Sequence, residues 1–283
     1  MKSITHGFSC IKNAHLGLSA GNRFKHKKIL IRLCEDQPSL DGAALADDLL
    51  EKIKENWHAG REATKRLGSE ENWRFKPTPH GASDDNTSAE VTFERAVVAA
   101  PGNTWANQVP TSSGLMDGRH DKRRAIDLVE QPRPGEFEFI ELKLREDGKR
   151  YEETPLYAAL EILDYGALYV FSRQKASTLG YSADSNEILE ADRIGLRVLA
   201  PRPFYEFRKR GRGSRPFRLE WLQRAMQSAA SRLGDQVGEG FIMDFRFTVF
   251  PEAFAWQSSS RQSDYAAEMI EARQPLIGAE RAD

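Results

Sequence analysis

Two charges stand at the end of a strand that otherwise reads as core. In EFEFIELKLR, residues 136–145, Phe137, Phe139, Ile140, Leu142 and Leu144 crowd like a buried strand, yet Glu141 and Lys143 close it. Side chains alternate faces along a strand, so Glu141 and Lys143 share a face with Phe137 and Phe139, while Ile140, Leu142 and Leu144 take the other. Along that face the strand passes from core to cleft, and the charges gather at the cleft end. The run before it, RRAIDLVEQ (123–131), is joined to it by PRPG, which reads as a hairpin connection. Antiparallel pairing about Pro134 places Asp127 across from Glu141; a one-residue slip would turn Asp127 to the wrong face. Facing carboxylates repel unless a cation offsets them, and Lys143 offsets part of the repulsion. Their oxygens also describe a site for a hard divalent ion, Mg²⁺ or Mn²⁺.

The elements that must position these residues follow from pattern. TSAEVTFERAVVAA (87–100) opens with Thr87 and Glu90 in a capping-box spacing and stops before Pro101-Gly102, a bounded helix. Glu94 lies at the border of its apolar stripe of Phe93, Val97 and Ala100, either as a solvated rim residue or aimed at the sheet. WANQVP (105–110) predicts a short strand. TPLYAALEILDYGALYVFSR (154–173) predicts a long buried helix with Pro155 in its first turn, and IGLRVLAP (194–201) another strand. A helix near 218–233, the strand FIMDFRFTVF and a short helix near 264–273 complete the pattern. The order predicts an α/β protein with a central mixed β-sheet flanked by helices. Upstream, residues 1–27 read as an irregular lead-in and KILIRLCE (28–35) as a strand. From Ser39 as N-cap, Leu45, Leu49, Ile53 and Trp57 predict an amphipathic helix to about His58. FKPTPHGASDDN (75–86) marks a boundary. The expected organisation is an N-terminal region (1–86), a core with a C-terminal extension (87–250) and a polar tail (251–283).

Asp127, then Glu141-Leu142-Lys143 on the next strand of a hairpin, with an acidic helix before and a long helix and strand after, resembles the PD-(D/E)xK nuclease superfamily. The resemblance spans roughly residues 87–201. It implies a restriction-endonuclease-like core and Mg²⁺- or Mn²⁺-dependent hydrolysis of phosphodiester bonds, DNA before RNA. It further implies Asp127 and Glu141 as metal ligands, Lys143 beside the attacking water, and Glu94 as the acid on the helix. The chain departs from the family's name at Ile126, which stands in the place of proline. Tyr157, Glu161 and Tyr165 occupy the long helix where one branch of the family carries a glutamine motif. The residue types suit the chemistry: a metal held by two carboxylates neutralises phosphate and acidifies water, and a lysine adds positive charge where negative charge develops. A catalytically silent module of the same fold, binding nucleic acid or a protein, is the alternative.

A polyanion needs cations, and two segments supply them. RPFYEFRKRGRGSRPFR (202–218) sets Arg208, Lys209, Arg210 and Arg212 among Phe204, Tyr205, Phe207 and Phe217, either as a phosphate-binding and base-stacking loop or as a basic loop anchored by its aromatics. Arg123 and Arg124 immediately precede the strand that bears Asp127. The net charge of −1 excludes a uniformly basic binder but permits a basic face. With 40% hydrophobic and 29% charged residues the chain is neither disordered nor fibrous. No apolar run reaches the length of a membrane span and the first twenty residues lack a signal-peptide core, so a cytoplasmic protein with no membrane partner is expected, with a homodimer allowed. Cys10 and Cys34 are too few for a disulfide framework or a CxxC metal site. GLSAG (17–21) matches a nucleophile-elbow spacing but lacks the strand before it and the helix after it, which excludes Ser19 as a nucleophile.

Overall fold

The computed structural model describes residues 3–19, 23–64, 67–79, 88–116, 121, 124–145, 149–208, 213–257 and 262–277. In chain order the helices are α1 (Phe8–His15), α2 (Lys27–Asp36), α3 (Gly42–Thr64), α4 (Ala89–Val98), α5 (Pro155–Gln174), α6 (Ala176–Leu179), α7 (Glu220–Val237) and α8 (Ser263–Glu271). The strands are β1 (Trp105–Pro110), β2 (Ala125–Arg133), β3 (Glu136–Leu142), β4 (Arg193–Ala200), β5 (Glu206–Arg208), β6 (Ser214–Pro216), β7 (Ile242–Val249) and β8 (Gln274–Pro275). Six strands form one mixed sheet in the order β1-β2-β3-β4-β7-β8. The first three run antiparallel, β3, β4 and β7 run parallel, and β8 returns antiparallel to β7. The α/β architecture with a helix-flanked mixed sheet is thus the one the pattern predicts.

Each parallel step needs a crossover, and α5 and α7 supply them. They pack with α3 on one face of the sheet, over Phe137, Phe139, Leu196, Val198, Phe245 and Phe247. α4 and α8 cover part of the other face, over Leu128, Ile140, Leu142 and Leu199. The split confirms the alternation expected along β3. α5 starts where the sequence places it: Thr154 Oγ1 accepts the Tyr157 N–H at 3.2 Å and Pro155 occupies the first turn. It lies between sheet and helices, and so it is apolar almost all round.

Four local expectations are corrected. KILIRLCE is helical, not a strand: Leu30, Leu33 and Cys34 are buried together, the i, i+3, i+4 spacing of one helix face. The lead-in at residues 1–27 contains α1, whose Phe8 is buried in the main core. The N-cap of α3 is Asp41 rather than Ser39, since Asp41 Oδ1 accepts the Ala44 N–H at 3.0 Å. Glu90 closes no capping box: Ser88 precedes the first helical residue, and Glu90 Oε1 instead accepts the Leu144 N–H at 3.0 Å. Thr87 lies outside the described residues. Residues of 1–86 and of 87–250 share a single hydrophobic core, in which Trp57 meets Phe171 at 5.8 Å and Trp73 meets Phe139 at 6.0 Å.

Candidate active site

The hairpin of β2 and β3 sets the site. Leu128 pairs with Ile140, Val129 with Phe139 and Glu130 with Glu138, the register expected from a turn about Pro134. Asp127 falls next in line, opposite Glu141. The turn itself is Pro134-Gly135, with Gly135 at φ +77°, and a bulge between Glu130 and Arg133 absorbs the odd residue. On the other side of β2 the ladder breaks at the same level. Asn107 pairs with Leu128 and Val109 with Ile126, while Gln108 between them adopts φ +51° and makes no strand pair. A left-handed, non-glycine residue inside a strand is costly and uncommon. Here it turns the Gln108 amide to donate to Glu94 Oε2 at 2.8 Å.

Four predicted residues converge at this point. Asp127 Oδ2 accepts the Leu142 N–H at 2.9 Å, so a carboxylate takes the place of the next ladder bond. Glu141, 3% exposed, gives Oε1 to the Lys143 ammonium at 2.6 Å, while its Oε2 is buried without a hydrogen-bond partner. Glu94, 1% exposed, is not a rim residue. It is held by its neighbour Phe93, whose ring is boxed edge-on by Phe250, Phe254 and Trp256 at 5.1–5.6 Å. Trp256 Nε1 also donates to Thr92 Oγ1 at 3.1 Å, so residues from the expected polar tail help to fix α4 and with it Glu94.

Two further acids were not assigned a role from sequence. Glu153, in the connection before α5, receives the Lys143 ammonium at 2.7 Å, and Glu161 on α5 stands 3.6 Å from it. Glu161 had a weak signal, an acid on an otherwise apolar helix. Glu153 had none, because its place depends on how that connection folds back.

The electrostatics follow from this crowding. Burial and then the Glu94 charge push the Asp127 carboxyl well above the usual carboxylate range. Burial, then Asp127 and Glu161, does the same to Glu141. Burial raises Glu94 to about 7, against the hydrogen bond from Gln108. Burial works against the Lys143 ammonium, but Glu141, Glu161, Asp127 and Glu153 outweigh it and drive its pKa well above that of an ordinary lysine. Lys143 is therefore a fixed positive charge rather than a proton acceptor.

Among the described residues no group of three or more His, Cys, Asp or Glu side chains is arranged to hold a metal ion. The smaller set expected from sequence, Asp127 and Glu141, has the donor chemistry of a hard divalent cation. The buried, unpartnered Glu141 Oε2 and the raised carboxyls are the marks of an under-neutralised anionic site.

The expected nucleic-acid contacts divide. Arg123, Lys209, Arg210, Arg212 and the side chain of Arg208 lie outside the described residues. Arg124 is half-buried, and its charge is felt by Asp164 and Tyr165 on α5. Of the aromatics in the basic segment, Phe204, Tyr205 and Phe217 are buried, and Tyr205 donates its hydroxyl to Val198 O at 2.9 Å or Thr248 O at 2.8 Å. These three anchor the β5–β6 hairpin to the core. No helix among the described residues is long and apolar enough to cross a membrane. Comparison with protein-family models, with curated proteins and with solved structures returned no match to the chain.

Proposed function

We propose that this chain is a divalent-metal-dependent nuclease of the PD-(D/E)xK kind, hydrolysing phosphodiester bonds in nucleic acid, DNA in preference to RNA, in the cytoplasm. The observation that carries the reading is the Glu141 carboxylate: buried, with one oxygen on Lys143, the other unpartnered, and Asp127 beside it in register. Asp127 and Glu141 would hold Mg²⁺ or Mn²⁺, and Glu94 adds negative charge behind them. When bound, the ion would supply Lewis-acid neutralisation of the phosphate and a more acidic water. Lys143, charged at every physiological pH, stabilises negative charge on the pentavalent phosphorus and orients water by donation. Asp127 holds the end of β3 through the Leu142 N–H, which keeps Glu141 and Lys143 aimed at the same space. Glu153 and Glu161 fix the Lys143 ammonium from the far side.

One observation favours a second reading, a nuclease-like module that binds without cutting. Lys143 already lies between Glu141 and Glu153 at 2.6 and 2.7 Å, a neutralising contact that needs no metal. Incubating wild type, Lys143→Ala and Asp127→Asn with single- and double-stranded DNA and RNA in Mg²⁺ or Mn²⁺ separates the two. The nuclease reading expects cleavage that EDTA abolishes and that each substitution reduces at least about 100-fold. Folded wild type that leaves every substrate intact, yet binds one of them equally well in EDTA, establishes the module instead.

A further inference from the structure

Beside Lys143 the surface opens into a pocket of about 390 Å³ whose wall runs outward from Lys143 to Arg145, Lys149, Arg150 and Tyr151. Glu90 and Glu153 line its inner end, where it joins the candidate site. The outer rim is different in character: among the described residues Arg145, Lys149 and Arg150 are exposed there, together with Glu152. Contacts link the described rim residues to one another. Arg145 Nη1 donates to the Lys149 carbonyl at 2.8 Å, and the Arg145 guanidinium lies 5.0 Å from the centre of the Tyr151 ring. Tyr151 in turn meets the buried Phe204 edge-on at 5.0 Å, which ties the rim to the core. Lys27, half-buried at the start of α2, lies within electrostatic reach of these arginines. Burial first, then the charges of Arg145 and Arg150, lower its pKa. Cations held close enough to disfavour one another define a place where an anion is stabilised.

We propose that this pocket seats a nucleic-acid strand, with Arg145, Lys149 and Arg150 gripping phosphates that neighbour the one presented to Lys143, and with Tyr151 against the adjoining sugar or base. The pocket is continuous with Lys143, so a strand gripped at the rim runs into the site along the Lys143 side. Binding at the rim needs no metal and stands on the geometry alone; only the fate of the strand at Lys143 rests on the nuclease reading.

Fluorescence anisotropy with labelled single- and double-stranded DNA oligonucleotides in EDTA tests the pocket, and the Mg²⁺ cleavage assay runs beside it. Arg145→Ala/Lys149→Ala/Arg150→Ala should weaken binding at least tenfold. It should also make the dependence of log Kd on log salt shallower by about 2, as the loss of phosphate contacts requires. Arg150→Glu alone should weaken binding several-fold with an unchanged melting temperature, and Lys52→Ala/Lys54→Ala on α3 should change nothing. If the triple variant binds with wild-type affinity and salt slope while wild type cleaves, the strand lies elsewhere and the nuclease reading stands. Weakened binding in the triple variant of a protein that never cleaves supports the pocket and sinks the nuclease reading. Wild type that binds neither oligonucleotide overturns the pocket.

Discussion

On the α4/α8 side of the sheet, at the C-terminal end of α8, Glu130, Glu138 and Asp244 are interleaved with Arg193, Arg197 and Arg273. Arg197 donates to Glu138 at 2.8 Å and to Asp244 at 2.6 Å; Arg273 bridges Glu138 at 2.9 Å and Glu130; Arg193 reaches Asp244 at 2.6 Å. Three acids meet three arginines, and even the directly opposed pair Glu130 and Glu138 is joined through Arg273. Gly195 leaves room for the Arg197 guanidinium, since a Cβ there would sit 2.5 Å from Nη2. At the end of β3 the rule is reversed. Asp127, Glu141, Glu153 and Glu161 surround the ammonium of Lys143, with Glu90 and Glu94 behind them. Against the burial penalty, arginines hold Glu138 and Asp244 below the usual carboxylate range, although burial keeps Glu130 above it even beside Arg273; burial and mutual repulsion hold both Asp127 and Glu141 well above it. Each acid of the first cluster meets an arginine of the chain. The second keeps an excess of carboxylates around one lysine, the feature on which the proposed metal and phosphate chemistry rests.

The largest expected effect falls on the balanced cluster. Arg197→Met leaves Glu138 and Asp244 short of their shared partner in a buried setting, which costs about 3–5 kcal/mol. Thermal unfolding should show a fall on the order of 10 °C. At the under-neutralised cluster the sign reverses. Asp127→Asn keeps an oxygen for the Leu142 N–H and removes one of the repelling charges, so the metal-free protein should gain about 1–2 kcal/mol while cleavage is lost. A destabilised Asp127→Asn would show that Lys143 already balances the site.

The smallest effect is the pH dependence, in which Glu138 and Asp244 act with the opposite sign to Glu94, Asp127 and Glu141. A carboxyl whose folded pKa is raised contributes stability that is full below its unfolded value and is lost as pH rises through the folded one. Glu94, at about 7, with Asp127 and Glu141, should therefore make the metal-free protein melt several degrees higher at pH 5 than at pH 8. Glu138 and Asp244, lowered, contribute stability present above the ordinary carboxylate range and lost below about pH 4. Together they place the maximum near pH 5. Millimolar Mg²⁺ should raise the melting temperature at pH 8 and leave it unchanged at pH 5; an Mg²⁺ response equal at both would detach the ion from these carboxylates.

Charges inside buried strands were the legible signal, and the two clusters show what that signal does and does not say. Glu141 in EFEFIELKL and Arg197 in IGLRVLA are the same anomaly in sequence. One lies at the mouth of a site, the other inside a self-sufficient ion network. The difference lies in partners from distant segments: Asp244 and Glu138 for Arg197, and Asp127, Glu94 and Glu161 for the other end. KILIRLCE is ambiguous in sequence for a related reason. Its apolar residues satisfy both a strand and a helix pattern, and only burial of Leu30, Leu33 and Cys34 on one face decides between them.

What the sequence determined by itself was local. The PRPG turn and the alternation in β2 and β3 set the hairpin register and put Asp127 level with Glu141, because a two-residue turn and a period of two leave little freedom. Thr154-Pro155 set the start of α5, because capping acts within one turn. The tertiary structure alone decided that Gln108 turns left-handed to reach Glu94, that Phe250, Phe254 and Trp256 lock α4 against the sheet, and that Glu153 folds back onto Lys143. Those contacts join residues from separate segments of the chain. Their energies come from burial and from charges brought together by packing, which no local pattern encodes.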